Sequence, residues 1–204
     1  MVIKIIPAGI YGANCYVLMD EDSKEAVILD PGGDSDIIIK NIETLGGKPK
    51  YILLTHGHVD HVDGVMDIKD KYNIPYYINK EDETFIEKGT YIYGRLPKAD
   101  GYLKEGDTLT FGKEKIQCIH TPGHTPGGMC FLIGDKVFTG DTLFQESIGR
   151  TDFEGGNYNE IISSINNRLI PLGDKVEVYP GHGPKTSILQ ERTRNPFLNN
   201  SFLL

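Results

Sequence analysis

Tryptophan is absent from this 204-residue chain, and histidine and cysteine are scarce, at six and three. Cys15, Cys118 and Cys130 are odd in number and lack CxxC spacing, so no disulfide framework is expected. Reduced thiols of a cytoplasmic protein, each a small core hydrophobe, are the simpler reading. No apolar run approaches the ~20 residues that a membrane span needs. Positive charge is also short, with 21 Lys and Arg against 29 Asp and Glu and a net charge of −8. That balance argues against nucleic acid or an anionic membrane as the main partner. Met1–Pro7 is too short and too strand-like for a signal peptide. No low-complexity tract or Pro-, Gly- or Ser-rich linker marks a boundary. One domain over residues 1–204 is therefore expected, and a chain of this length buries about 70% of its unfolded surface. Nothing in the composition reports the oligomeric state.

What histidine there is lies clustered. Thr55-His56-Gly57-His58-Val59-Asp60-His61 carries three of the six imidazoles and one carboxylate. Tyr51–Leu54 before it reads as a short buried strand, and the residues after it, through Lys71, read as a helix. Side chains at such a strand–helix junction can converge on one point. His56 and His58 suit an extended turn, and Asp60 and His61 arrive from the first helical turn. Neutral imidazole and carboxylate are ligands for Zn²⁺, Fe²⁺ or Mn²⁺.

Three later positions repeat the arrangement of a polar group after a strand. Lys115–Ile119 leads to Thr121-Pro122-Gly123-His124, Lys136–Phe138 to Thr139-Gly140-Asp141, and Val176–Tyr179 to Pro180-Gly181-His182. The candidate ligands are therefore His56, His58, Asp60, His61, His124, Asp141 and His182. An open mononuclear site needs about three protein ligands, so this set suffices for two metals sharing a carboxylate. His120 falls outside the pattern and is expected to be a packing or supporting residue. Asp30, in an Asp-Pro-Gly turn after a strand, could orient a ligand histidine or be a plain turn residue.

The wider order of elements is an approximate duplication. Val2–Ile6, Asn14–Met19 and Glu25–Leu29 read as a meander, followed by a helix capped by Asp34 or Ser35 and closed by Gly46-Gly47. Pro75–Ile78 and Glu81–Lys88 complete the first half. Thr108–Phe111, Lys115–Ile119, Met129–Ile133 and Lys136–Phe138 form a second run of strands. A helix over Tyr158–Leu169, the strand Val176–Tyr179 and a helix from Thr186 through Arg194 follow. The tail Asn195–Leu204 is expected to dock. Residues 89–102 show no periodicity. Two sheets packed face to face with helices outside would bury both sets of apolar faces.

HxHxDH, TPGHTPG, GD and GH, in this order over nearly the whole chain, resemble the metallo-β-lactamase superfamily. Phe138–Phe144 and Ile148–Phe153 are most similar to the hydroxyacylglutathione hydrolases (glyoxalase II) and their short relatives. The resemblance implies an αββα sandwich. It also implies two divalent metal ions, zinc first with iron or manganese possible. His56, His58 and His124 would hold one ion, Asp60, His61 and His182 the other, and Asp141 would bridge. Asp60 would also orient the nucleophile. Arg150 would meet a substrate carboxylate. The implied reaction is hydrolysis of a small-molecule thioester, an S-2-hydroxyacylglutathione, by a hydroxide held between the metals. Two features depart from glyoxalase II. Asp152 stands where an aromatic substrate contact is expected, and only Gly183–Leu204 follow His182, so no separate helical C-terminal domain is expected. Asp141 argues against a β-lactamase, which usually lacks it. A persulfide dioxygenase with one iron, which shares the Gly149–Phe153 run, and a lactonase are the alternatives on the same scaffold. A nuclease fits the acidic balance poorly, and a structural metal site would be a closed four-ligand cage.

Overall fold

In the computed structural model, residues 1–199 are described. Strands β1 (Val2–Ala8), β2 (Ala13–Met19) and β3 (Glu25–Leu29) form the meander, followed by helix α1 (Ser35–Leu45) and strand β4 (Lys48–Leu53). Two short helices, α2 (Val59–Val62) and α3 (Val65–Tyr72), lead to β5 (Tyr76–Asn79), α4 (Lys80–Glu87) and β6 (Gly101–Leu103). The second half runs through β7 (Thr108–Phe111), β8 (Glu114–His120), β9 (Met129–Ile133) and β10 (Lys136–Gly140), with a small hairpin of β11 (Leu143–Phe144) and β12 (Ser147–Ile148). Helix α5 (Tyr158–Ser164), β13 (Glu177–Pro180), β14 (Thr186–Ser187) and α6 (Ile188–Arg194) complete it.

Alternation along the strands builds the layers. Tyr16 and Leu18 of β2, Val27 and Leu29 of β3, and Tyr51 and Leu53 of β4 face a core shared with Ile116, Cys118, Phe131 and Phe138 of the other sheet. Their neighbours Cys15, Val17, Ala26, Ile28 and Ile52 face Ile38, Ile42, Val65 and Ile68 of α1 and α3. In the second sheet, Cys130, Val137 and Val178 face Ile161, Ile165 and Ile188. Each central strand thus feeds two cores with a period of two, as a sheet buried on both faces must. The result is the αββα sandwich expected from the order of elements. All three cysteines are buried thiols.

Strand direction decides where the site lies. The second sheet runs β14-β13-β10-β9-β8-β7. β8 and β10 are both antiparallel to β9, and β13 is parallel to β10. The C-terminal ends of β8, β10 and β13 therefore share one edge. In the first sheet, β3, β4 and β5 are parallel. The two sheets are tied at that edge, where the Met129 amide donates to the Thr55 carbonyl at 2.7 Å and the Tyr16 hydroxyl to the Pro180 carbonyl at 2.6 Å.

Several local expectations give way to long-range contacts. The helix after the histidine heptad is broken between α2 and α3, because the Gly64 amide donates to the Pro31 carbonyl at 2.8 Å instead of continuing a helical ladder. Asp34 adopts left-handed backbone (φ 44°) and does not cap α1; its carboxylate accepts from the Gly9 amide at 2.8 Å. The final helix is capped by Ser187 rather than Thr186, which lies in β14 and donates to Glu191. The helix predicted over 158–169 changes to a π-helical turn at Ile165–Leu169. Phe197 and Leu198 pack on the third core as a docked tail would. Residues 200–204 of that expected tail lie outside the described residues. No helix among the described residues is long and apolar enough to cross a membrane.

The Pro31–Gly33 turn sits directly under the start of α2. A Cβ built on Gly32 would lie 1.6 Å from the Asp60 carbonyl oxygen, so only glycine lets the two backbones approach. Gly32→Ala is expected to destabilise the protein by about 1–3 kcal/mol or more, as overpacking against backbone does. Urea unfolding against the wild type measures this.

Candidate metal centre

The edge defined by the strand ends gathers all seven candidate donors. The chain leaves β4 to carry His56 and His58, α2 presents Asp60 and His61, and the turns after β8, β10 and β13 bring His124, Asp141 and His182. His58 Nδ1 lies 2.9 Å from His124 Nε2, and the His56 ring centroid is 4.7 and 4.8 Å from those of His58 and His124. Asp60 Oδ2 is 3.2 Å from His182 Nε2 and 3.9 Å from His61 Nε2. Asp141 sits between these sets. Its Oδ1 is 3.4 Å from His61 Nε2, and its Oδ2 is 3.6 Å from His124 Nε2 and 3.7 Å from His182 Nε2.

The surrounding hydrogen bonds fix which nitrogens carry protons. Asp30, also in left-handed backbone (φ 47°), accepts from the Thr55 amide at 2.7 Å and the Thr55 hydroxyl at 2.6 Å, and its Oδ2 lies 3.0 Å from His61 Nδ1. A carboxylate can only accept, so His61 carries a proton on Nδ1 and turns Nε2 toward Asp141. The Arg150 carbonyl does the same for His124 at 2.7 Å from Nδ1. Asp30 thus orients a histidine, as its turn after a strand allows, through both a ring nitrogen and the Thr55 side chain.

This pattern leaves a deficit of positive charge at the centre. The Nε2 atoms of His56, His58 and His61 and Oδ1 of Asp141 are buried without any hydrogen-bond partner. Buried polar atoms are nearly always paired, and leaving one unpaired costs about 1–3 kcal/mol. Burial, reinforced by the neighbouring imidazoles, pushes His56 well below the usual histidine range and His58 down to about 3. His124 is lowered chiefly by burial. Three imidazoles held neutral are three lone pairs. Burial also opposes charge on His61, but the Asp141 and Asp30 carboxylates overcome it and hold that imidazole well above its ordinary value. Asp141 stays ionised against its own burial through His61, His124 and His182.

Divalent cations answer this deficit. His56, His58 and His124 bring ligand atoms within 4.8 Å of one another, as do Asp60, His61 and His182. Asp30, His56 and His61 also meet that spacing. The Asp30 oxygens, however, are already engaged by Thr55 and His61, so Asp30 supports the centre from outside.

Known proteins agree with this geometry. Residues 8–182 match the metallo-β-lactamase superfamily. The chain belongs to that superfamily. It is 40% identical to hydroxyacylglutathione hydrolase GloC of Haemophilus influenzae, over 98% of this chain and 99% of the relative. The crystal structure of BLEG-1, a B3 metallo-β-lactamase, superposes with a TM-score of 0.87 at 39% identity, covering 97% of this chain and all of that one. TTHA1623 in a di-iron-bound form gives 0.86 at 32% identity, covering 96% and 100%. The protein is accordingly a metallo-hydrolase of the superfamily, whose members bind divalent metals at such His-rich sites.

Around this superfamily centre, two walls differ in character. On the His58 side, Tyr93 and Phe153 set their rings edge-on to the imidazole at 4.9 and 5.7 Å. Tyr93 comes from the aperiodic 89–102 segment, which closes a bridge from Tyr93 to His58. Arg150 lies over Phe153, and its guanidinium is taken by Asp152 in a two-pronged ion pair of 2.7 and 2.8 Å. Asp152, the departure from glyoxalase II noted in the sequence, therefore occupies the cation expected to meet substrate. On the other side, a groove of about 490 Å³ is lined by Ile10, Tyr11, Val59, Asp60 and Asp63. His120 stands apart, its Nε2 2.9 Å from the Pro126 carbonyl, beside a different groove that holds none of these donors. Thr55, Tyr93 and the Arg150 carbonyl were not assigned a role from sequence. Thr55 left a trace there as the hydroxyl that opens the heptad, and Tyr93 as an aromatic of the aperiodic 89–102 segment.

Replacing Asp30 by asparagine sets an amide N–H₂ against one of its donors. Asp30→Asn is expected to destabilise the metal-free protein by about 1–3 kcal/mol, the usual effect of one buried unpaired donor. Denaturant unfolding in the presence of chelator measures it.

Proposed function

We propose that this protein is a binuclear thioesterase that hydrolyses S-2-hydroxyacylglutathiones. The observation that carries the reading is the position of Asp141, whose two oxygens face histidines of both donor groups. In this reading His56, His58 and His124 hold one ion, Asp60, His61 and His182 the other, and Asp141 is shared. Zinc suits the donors first, and iron or manganese fit the same set. Two such ions, when bound, supply Lewis acidity to a thioester carbonyl and bring the pKa of water close to neutrality.

The chain's own residues do the rest. Asp60 belongs to the second donor group and also lines the 490 Å³ groove, so a water entering there meets a carboxylate able to orient it and accept its proton. Asp30 and the Arg150 carbonyl hold His61 and His124 in the tautomers that face inward. Ile10, Tyr11 and Val59 offer an apolar wall for the acyl group. Arg150, once exchanged from Asp152, offers a planar fork to a substrate carboxylate. The likeness to GloC over almost the full length supports the thioester class. In this reading the partner is a small molecule rather than nucleic acid or a membrane surface, which the net charge of −8 supports.

Purified protein is expected to carry two transition-metal equivalents and to turn over S-lactoylglutathione. Asp141→Ala is expected to lower kcat/KM at least about 100-fold, beyond the usual effect of losing a residue that merely supports a ligand, with an unchanged circular dichroism spectrum. Parallel assays with a lactone, a chromogenic cephalosporin and a persulfide with oxygen uptake separate the other activities. One iron per chain with oxygen uptake, or turnover of the cephalosporin alone, overturns the reading.

Arg150 is tested by steady-state kinetics on the same substrate. Arg150→Ala is expected to raise KM with little change in kcat, and Asp152→Asn to lower KM by releasing the guanidinium.

A further inference from the structure

A second buried carboxylate stands behind the centre. Asp82 lies in the first turn of α4, which is capped by the Asn79 side chain, and it is fully buried. Its Oδ2 accepts from the Gly57 amide at 2.8 Å, and its Oδ1 accepts from the Gly127 amide at 2.7 Å. Gly57 separates His56 from His58. Gly127 closes the turn that begins at His124. The fit on the second side is close, since a Cβ on Gly127 would come within 2.6 Å of Asp82 Oδ1.

We propose that Asp82 is a positioning residue for the metal centre, a two-sided acceptor that fixes the turn of His56 and His58 against the turn of His124. The inference rests on the binuclear reading above. Elsewhere these segments meet at the Met129 amide, which donates to the Thr55 carbonyl, and at the His58–His124 ring contact. The three-histidine group is assembled from segments 66 positions apart in the chain. Asp82 is the side chain that touches both supporting backbones.

The chemistry of the group fits a positioning role better than a stabilising one. Burial pushes the Asp82 carboxyl up to about 6, against the pull of the Thr125 hydroxyl and of the Gly127 and Gly57 amides. Both oxygens accept from backbone N–H groups, so neutral donors hold the group in the interior as an acceptor on both sides. Asparagine is nearly isosteric but cannot replace it, because an amide offers one acceptor oxygen and sets N–H₂ against the second backbone N–H. Its neighbour Glu83 is a natural control. That carboxylate is equally buried in the same helix, but it accepts from the Ala99 amide and the Tyr102 hydroxyl, away from the ligand turns.

The test compares Asp82→Asn and Glu83→Gln with the wild type, by competitive chelator titration with Zn²⁺ and by the visible spectrum of the Co²⁺-loaded proteins. For Asp82→Asn, one of the two Zn²⁺ equivalents is expected to weaken by about 10–100-fold. The other stays at wild-type affinity, and the Co²⁺ bands change. Glu83→Gln is expected to keep both affinities and the wild-type spectrum. Wild-type affinities and spectrum in Asp82→Asn overturn the proposal, as does equal weakening of both equivalents in Asp82→Asn and Glu83→Gln. Should Asp82→Asn fail to fold, Asp82→Ser keeps one acceptor in a smaller side chain and is expected to show the same selective loss. If neither variant folds while Glu83→Gln does, Asp82 is a folding element and the proposal fails. A wild type that takes up fewer than two equivalents fails the binuclear reading itself, which separates the two failures.

Discussion

Buried polar atoms without partners are the constraint on which this structure turns. Three imidazole nitrogens and a carboxylate oxygen are buried without partners at one edge of a two-sheet sandwich. A fold can hold such a cluster only if the elements behind it are rigid and if something cationic completes it. The alternation that sends Tyr16, Val27 and Leu53 to the inter-sheet core and Val17, Ile28 and Ile52 to the helix layer supplies the rigidity. The donor set, with neutral imidazoles on one flank and carboxylates on the other, suits a divalent cation.

Support for the donors comes from backbone as much as from side chains. The Arg150 carbonyl sets the His124 tautomer, Asp30 reaches His61 and Thr55 at once, and Asp82 grips the amides on either side of the three-histidine group. The site is thus built in two shells whose members come from both halves of the chain. The approximate duplication of strands and helices brings donors from both halves to the shared edge. Substrate choice is a separate matter, written in the rim. There Asp152 neutralises Arg150, while Ile10 and Tyr11 remain exposed beside Asp60.

Much of this was legible in the residues. The heptad at Thr55–His61 and the three polar groups after later strands identify the donors, because a strand end followed by glycine is a local pattern. The paired sheets follow from strand order and from runs such as Tyr51–Leu54, which are apolar on both faces. What was not legible depends on partners far away in sequence. Asp34 looks like a helix cap, but the Gly9 amide claims it. The heptad helix looks continuous until the Pro31 carbonyl takes the Gly64 amide. Asp82 looks like one more acidic residue in a charged helix, since its two donors lie 25 and 45 positions away. Backbone donors and acceptors carry no residue-type signature, so such contacts stay hidden until the chain is folded.

In the proposed binuclear reading, Asp141 is shared by two cations. Anomalous diffraction from crystals of the metal-loaded protein, collected at the absorption edge of its metal, tests this most directly. Two peaks about 3.5–4 Å apart are expected, one against His56, His58 and His124 and the other against Asp60, His61 and His182, with the Asp141 carboxylate reaching both. A single peak, or two peaks with Asp141 turned away from one of them, would contradict it.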